Sequence, residues 1–150
     1  MKNLVLSFIL LASSLLASEV NLQTPSTTLK SYYDAINEGD LLALKKIMTP
    51  QSYDTDIQIY ALSIALKDKR FHQQLKQYNS SAQAKKNVEQ AVKKKLKKRN
   101  TRTIVIKSER KLGPNRVAVK FTEDSKNRQL YFSHHMNIWQ LDYLAGRTIK

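Results

Sequence analysis

The hydrophobic period of this chain changes at Asn100, and that change restricts the fold more than any other feature. Before it, apolar residues recur at helical spacing. Leu29, Tyr32, Tyr33 and Ile36 stand at i, i+3, i+4 and i+7, which puts them on one helix face. After it, Ile104 and Ile106, then Val117, Val119 and Phe121, alternate with other residues, the period of a strand with one covered face. Helices first and an antiparallel meander afterwards make an α+β domain.

The helical part divides at its punctuation. Pro25, Ser26 and Thr27 suit the start of the first helix and Gly39 its end. Asp40 suits the cap of a second, short helix with Leu41, Leu44, Ile47 and Met48, stopped at Thr49–Pro50. A third is expected to start near Asp54–Asp56. Its apolar residues spread over more than one face, so it is expected to be the most buried. Phe71, Leu75 and Tyr78 continue the helical spacing. A fifth segment, about Ala82–Arg99, has a narrow stripe of Ala84, Val88, Ala91, Val92 and Leu96, as a surface helix would. Beyond Asn100, strands are expected from Ile104 to about Arg110, over Val117–Phe121, over Gln129–His134 and around Trp139–Tyr143. Gly113–Pro114–Asn115 makes a turn, and polar residues 123–128 form a connection.

The N-terminus reads as a removable address. Lys2 precedes an apolar run, Leu4–Leu16, with small residues Ala17 and Ser18 ahead of Glu19, the layout of a secretory signal peptide. As a helix that run would span about 20 Å, short of a bilayer core of about 30 Å, so no stable transmembrane anchor is expected. The chain contains no cysteine. That rules out disulfides, thiolate metal sites and a cysteine nucleophile, and with them the lipid attachment of a bacterial lipoprotein. The expected layout is a signal peptide over 1–18, a linker over 19–25, a single domain over 26–144 and a tail over 145–150. The expected location is periplasmic or secreted.

Charge points to the class of partner. Lys+Arg number 26 against 12 Asp+Glu, a formal +14. Losing Lys2 would leave 25 against 12, or +13. Such a surplus favours solubility and anionic partners and does not specify a fold. It is densest at Lys93, Lys94, Lys95, Lys97, Lys98 and Arg99, with Lys85 and Lys86 upstream. These eight form a candidate anion-binding face for envelope components or an acidic protein; the bland reading is a solvated helix face. Nucleic acid is disfavoured: export removes the chain from most of it, and Tyr131, Phe132 and Trp139 alternate like core strand residues.

No cofactor or metal is expected. Gly39, Gly113 and Gly146 are too scattered for a phosphate-binding or dinucleotide loop. His134 and His135 are adjacent on a strand and point to opposite faces, and His72 is the only other histidine.

The segment Leu29–Met48, with Tyr32–Tyr33 and the Asn37–Glu38–Gly39–Asp40 corner, resembles the opening of nuclear transport factor 2-like domains. Trp139–Gln140–Leu141–Asp142 is similar to the aromatic final strand of their small exported bacterial members. The resemblance implies N-terminal helices packed on a curved, cone-shaped antiparallel sheet. Some enzymes of this family use a cavity between helices and sheet, with tyrosine and carboxylate groups inside it. Tyr32, Tyr33 and Asp142 are the residues here that match such a placement. The chain departs from the family in its lysine-rich helical stretch between Asp68 and Arg99. A non-catalytic binding or accessory role is the leading expectation, and a small-molecule-binding protein or enzyme using that cavity is the alternative.

Overall fold

A computed structural model describes residues 20–147; the expected signal peptide and the last three residues of the tail lie outside the described residues. Five helices precede a four-stranded antiparallel sheet: α1 (Pro25–Glu38), α2 (Leu41–Ile47), α3 (Pro50–Ala65), α4 (Lys69–Lys76), α5 (Ala82–Lys97), β1 (Ile104–Gly113), β2 (Arg116–Glu123), β3 (Lys126–His135) and β4 (Ile138–Leu141). The sheet order is β1-β2-β3-β4, a simple meander. The domain is α+β.

Helix α1 is built as its sequence suggests. Thr24 and Thr27 form a reciprocal capping box, and Pro25 occupies the first turn, where its missing N–H costs nothing. Leu29, Tyr32, Tyr33 and Ile36 are all buried. They face Val117, Val119, Phe121, Phe132 and Leu141 of the sheet within one core, and Tyr33 meets Phe121 edge-to-face at 5.7 Å. Gly39 ends the helix at φ 67°, a conformation that strains any residue with a Cβ. An added Cβ there would also stand 2.9 Å from Lys97 Cγ and 3.2 Å from the Lys93 carbonyl oxygen. The corner therefore lets α5 approach closely. Asp40 then caps α2, its Oδ1 accepting from the backbone N–H groups of Leu42 and Ala43, both at 3.0 Å.

Helix α3 differs from expectation in two ways. It starts at Pro50, which serves as its first residue after the N-cap Thr49. A proline that ends one helix can equally open the next, and here it does both. Nor is α3 the most buried helix: Ile59, Leu62 and Leu66 are 55%, 51% and 87% exposed. Its inner face is supplied by Tyr53, Asp56, Ile57, Ala61 and Ala65.

Helix α5 packs on α1, α3 and α4. Val88, Val92 and Leu96 are fully buried, a stripe at i, i+4 and i+8 worth about 1.5–3 kcal/mol per side chain. Its N-terminal half is tied down by polar contacts. Tyr78 Oη and Lys85 Nζ both donate to Asp54 Oδ1, at 2.9 and 2.8 Å. Tyr53 Oη donates to Glu89 at 3.1 Å, and Lys45 pairs with the same carboxylate at 3.1 Å.

The sheet turns are tighter than the sequence suggests. Residues 123–128 form no open connection: Glu123 pairs with Lys126, and Asp124 and Ser125 make a two-residue turn at φ 47° and 68°. Met136 and Asn137 make the next, at φ 48° and 64°. Two consecutive positive-φ residues match the strand twist. The outer side of β4 is covered, because Trp139 N–H donates to the Leu22 carbonyl and Thr49 N–H to that of Leu141, at 2.9 and 3.0 Å. The other edge strand, β1, is blunted by exposed Lys107, Arg110 and Lys111.

Candidate anion-binding site

The basic residues singled out from the sequence all fall on α5 or just beyond it, but they are not equivalent. Lys85 is paired with Asp54. Lys95 is half-buried and donates to Ser63 Oγ. Arg99 is also half-buried, its guanidinium 5.4 Å from the Tyr60 ring centroid. Lys86, Lys93, Lys94, Lys97 and Lys98 are exposed. At about 100° per residue, Lys86, Lys93 and Lys97 form one row and Lys94 and Lys98 a second.

Among the described residues, the ion pairs on α5 are those of Lys85 and Glu89, both in its N-terminal half. Towards the C-terminal end Lys93, Lys94, Lys97 and Lys98 are exposed, while Lys95 is held by Ser63. That is also the end at which cations interact favourably with the helix dipole, by about 0.3–1 kcal/mol each. The second row borders a groove of about 580 Å³ between α3 and α5, walled by Ile64, Lys67, Ala91, Lys94, Lys95 and Lys98 together with Ser63 and Asp68. Asp68 is engaged as the N-cap of α4, accepting from Arg70 and Phe71 N–H at 2.8 and 3.1 Å.

The tyrosine–carboxylate group lies elsewhere, inside the core; it includes Tyr32, with Tyr33 beside it, but its acid is Asp56. Tyr32 Oη donates to Asp56 Oδ2 at 2.8 Å, and Tyr143 Oη donates to Asp56 Oδ1 at 2.7 Å. Asp142 is not the acid in this group. Its Oδ1 accepts from the Leu144 backbone N–H at 2.9 Å and stabilises the turn after β4, because the chain leaves the sheet there. Tyr33 is buried beside Tyr32, the rings meeting edge-to-face at 5.3 Å. Next to them Arg102 pairs with Glu123, whose second oxygen accepts from Arg128 Nε at 3.0 Å.

Burial pushes the Asp56 carboxyl above its ordinary value, opposed by the hydrogen bonds from Tyr143 and Tyr32 and by the charge of Arg102. Tyr32 and Tyr143 are pushed well up, by burial first and then by the Asp56 charge. Tyr60 is pushed up to about 12, again mainly by burial. Tyrosines so perturbed stay protonated, and Tyr32 and Tyr143 donate to Asp56. Each oxygen of Asp56 therefore has a donor from the protein itself, and a network satisfied in this way rigidifies a core. The surface cavities beside Phe121, at Val20, at Arg102 and between α3 and α5 have none of Tyr32, Tyr33 and Asp56 in their walls.

Sequence reasoning missed Asp56, Tyr60, Arg102, Glu123 and Tyr143. One signal was available: Tyr53, Asp56 and Tyr60 stand at i, i+3 and i+7, which aligns the acid with two aromatics on one face. His134 packs against Trp139 in a tilted contact, 4.9 Å between ring centroids, and His135 is exposed at the end of β3. No protein family, curated protein or solved structure matches this chain.

Proposed function

We propose that this protein is an exported, non-catalytic binding or accessory protein of the bacterial periplasm or cell exterior, which engages anionic envelope components through α5. The observation that carries the reading is the uneven pairing along that helix. Its ion pairs lie in the N-terminal half, while Lys93, Lys94, Lys97 and Lys98 remain exposed. Lysines act as point charges, so this face favours anionic surfaces without fine selectivity among head groups. A cone-shaped, nuclear transport factor 2-like arrangement is part of the proposal. It is supported by the helices-then-meander order and by the Gly39–Asp40 corner between α1 and α2. Export rests on the layout of residues 1–18.

The test is co-sedimentation with vesicles of phosphatidylcholine, with and without phosphatidylglycerol. Binding is expected only to the anionic vesicles and should fall as salt rises from about 0.1 M to about 1 M, over which the Debye length shrinks from about 10 to about 3 Å. Each lysine near an anionic surface contributes about 1 kcal/mol, so Lys93→Gln with Lys97→Gln should weaken binding roughly thirtyfold. Salt-insensitive binding, or none, overturns the proposal.

A further inference from the structure

The α3–α5 groove combines two chemistries that a purely ionic surface does not need. Ile64 and Ala91 are partly buried apolar residues packed against the core. Around them stand Lys67, Lys94, Lys95 and Lys98, whose methylene stems add apolar surface while their ammonium groups reach water. Ser63 fixes one of these, Lys95, at the wall. Among the described residues, the only carboxylate in the wall is Asp68, and it is turned to the backbone of α4. The groove is open to solvent along one side, and its volume of about 580 Å³ is in the range of pockets that hold small organic ligands, about 300–1,000 Å³.

A free inorganic anion would use the lysines and leave the apolar walls wet. A neutral hydrocarbon would use the walls and leave four ammonium groups without a counter-charge. An acidic polymer would need the outward rows of α5 more than this recess. A molecule with one alkyl chain and one anionic head uses both parts: the chain lies against Ile64, Ala91 and the lysine stems, and the head meets the ammonium groups.

We infer that the α3–α5 groove is a binding site for a monomeric, single-chain anionic amphiphile such as a long-chain carboxylate. This inference rests on the reading of α5 as an anion-binding face and names the ligand class taken at one side of it. The apolar wall provides affinity per methylene, about 0.8 kcal/mol for each CH₂ buried, and the lysines provide the sign preference.

Sodium dodecanoate, kept below its micelle concentration, is titrated into the purified protein by calorimetry, with backbone NMR shifts identifying the site. Saturable binding is expected, with shifts centred on residues 63–67 and 91–98. Dodecanol and dodecyltrimethylammonium should bind at least about tenfold more weakly, and phosphate at equal concentration should not compete. Ala91→Gln narrows the apolar wall without changing charge and keeps a good helix former; it should weaken dodecanoate binding about tenfold or more while leaving anionic-vesicle binding intact. Lys94→Gln with Lys98→Gln retains the wall and should reduce both. Thermal melts confirm that each variant is folded, so the second variant decides if the first is not. Equal binding of dodecanol, effective competition by phosphate, or shifts elsewhere overturns the inference. Failure to bind dodecanoate with salt-sensitive vesicle binding preserved overturns the groove site alone; loss of both overturns the proposed function as well.

Discussion

Tyr143→Phe is the sharpest probe of the interior, because it removes one donor from a buried carboxylate and little else. The lost bond is 2.7 Å long and its acceptor is Asp56 Oδ1; Asp56 is 6% exposed. A hydrogen bond to a charged group contributes about 1.5–3 kcal/mol, and a neutral one about 0.5–1.5 kcal/mol. The cost should therefore depend on whether Asp56 is ionised. Its folded pKa is raised above the ordinary 3.8. The native state thus holds this proton to higher pH than the unfolded chain. The contribution of Asp56 to stability is fully present below 3.8 and is lost as pH rises through the folded value. Deleting a tyrosine donor raises that folded value further, since both tyrosine hydrogen bonds lower it.

The destabilisation by Tyr143→Phe should accordingly be about 0.5–1.5 kcal/mol in acid and grow to about 1.5–3 kcal/mol once the wild-type carboxyl has ionised. Tyr32→Phe should behave alike, through a 2.8 Å bond to the other oxygen. The double variant should lose less than the sum, because after the first deletion the acid more readily keeps its proton and needs the second donor less. Urea unfolding followed by Trp139 fluorescence over about pH 4–8 measures all three variants. A cost that is flat with pH, a cost greatest in acid, or strict additivity would refute a shared buried carboxylate held by two tyrosines.

Three other substitutions test how the interior network and α5 are mounted. Arg102→Gln should destabilise by about 1.5–3 kcal/mol, because Arg128 still compensates Glu123, and Arg128→Gln by less than about 1 kcal/mol: the Arg102 side chain is 23% exposed against 52% for Arg128, and both serve the buried Glu123. Equal costs in chemical denaturation would contradict the assignment of Arg102 as the principal partner. Gly39→Ala should cost at least about 1–2 kcal/mol from its left-handed backbone alone, and the 2.9 Å approach to Lys97 should make α5 amides exchange faster with solvent; unchanged exchange would sink that coupling.

Much of the architecture is local in origin and could be read from the chain. The α1 stripe, its Pro25 start, its Gly39 end and the Asp40 cap are all short-range devices. The α5 lysines were equally visible, since a charge run with a thin apolar stripe leaves few faces to bury. What escaped was either ambiguous locally or set at a distance. Thr49–Pro50 suits both the end of α2 and the start of α3, and the choice depends on α3 packing in the core. Asp124–Ser125 adopts positive φ without the glycine that usually announces such a turn. Asp56 resembles a helix-start acid, and its tyrosine partners come from α1 and from the turn after β4; no local window contains that contact.

The interior network and the exterior lysines are connected by where the acids go. Asp40 and Asp68 cap helices, Asp124 and Asp142 hold turns, and Asp56 and Glu123 are buried acceptors. Asp54 and Glu89 dock the N-terminal half of α5. Eight of the 12 Asp and Glu residues thus serve as structural acceptors at fixed places, and the carboxylates that dock α5 by ion pairs, Asp54 and Glu89, act on its N-terminal half. Lys93, Lys94, Lys97 and Lys98 are exposed through that distribution as much as through their number. A lysine-rich chain with its acids scattered over the same helix would have the same net charge and a much weaker local field, because surface charges beyond about 8–10 Å are screened from one another. Moving one acid back, as in Lys97→Glu, should therefore weaken anionic-vesicle binding more than Lys111→Glu, a substitution of equal charge on exposed β1. Equal losses would mean that net charge alone, and not its placement on α5, governs the attraction.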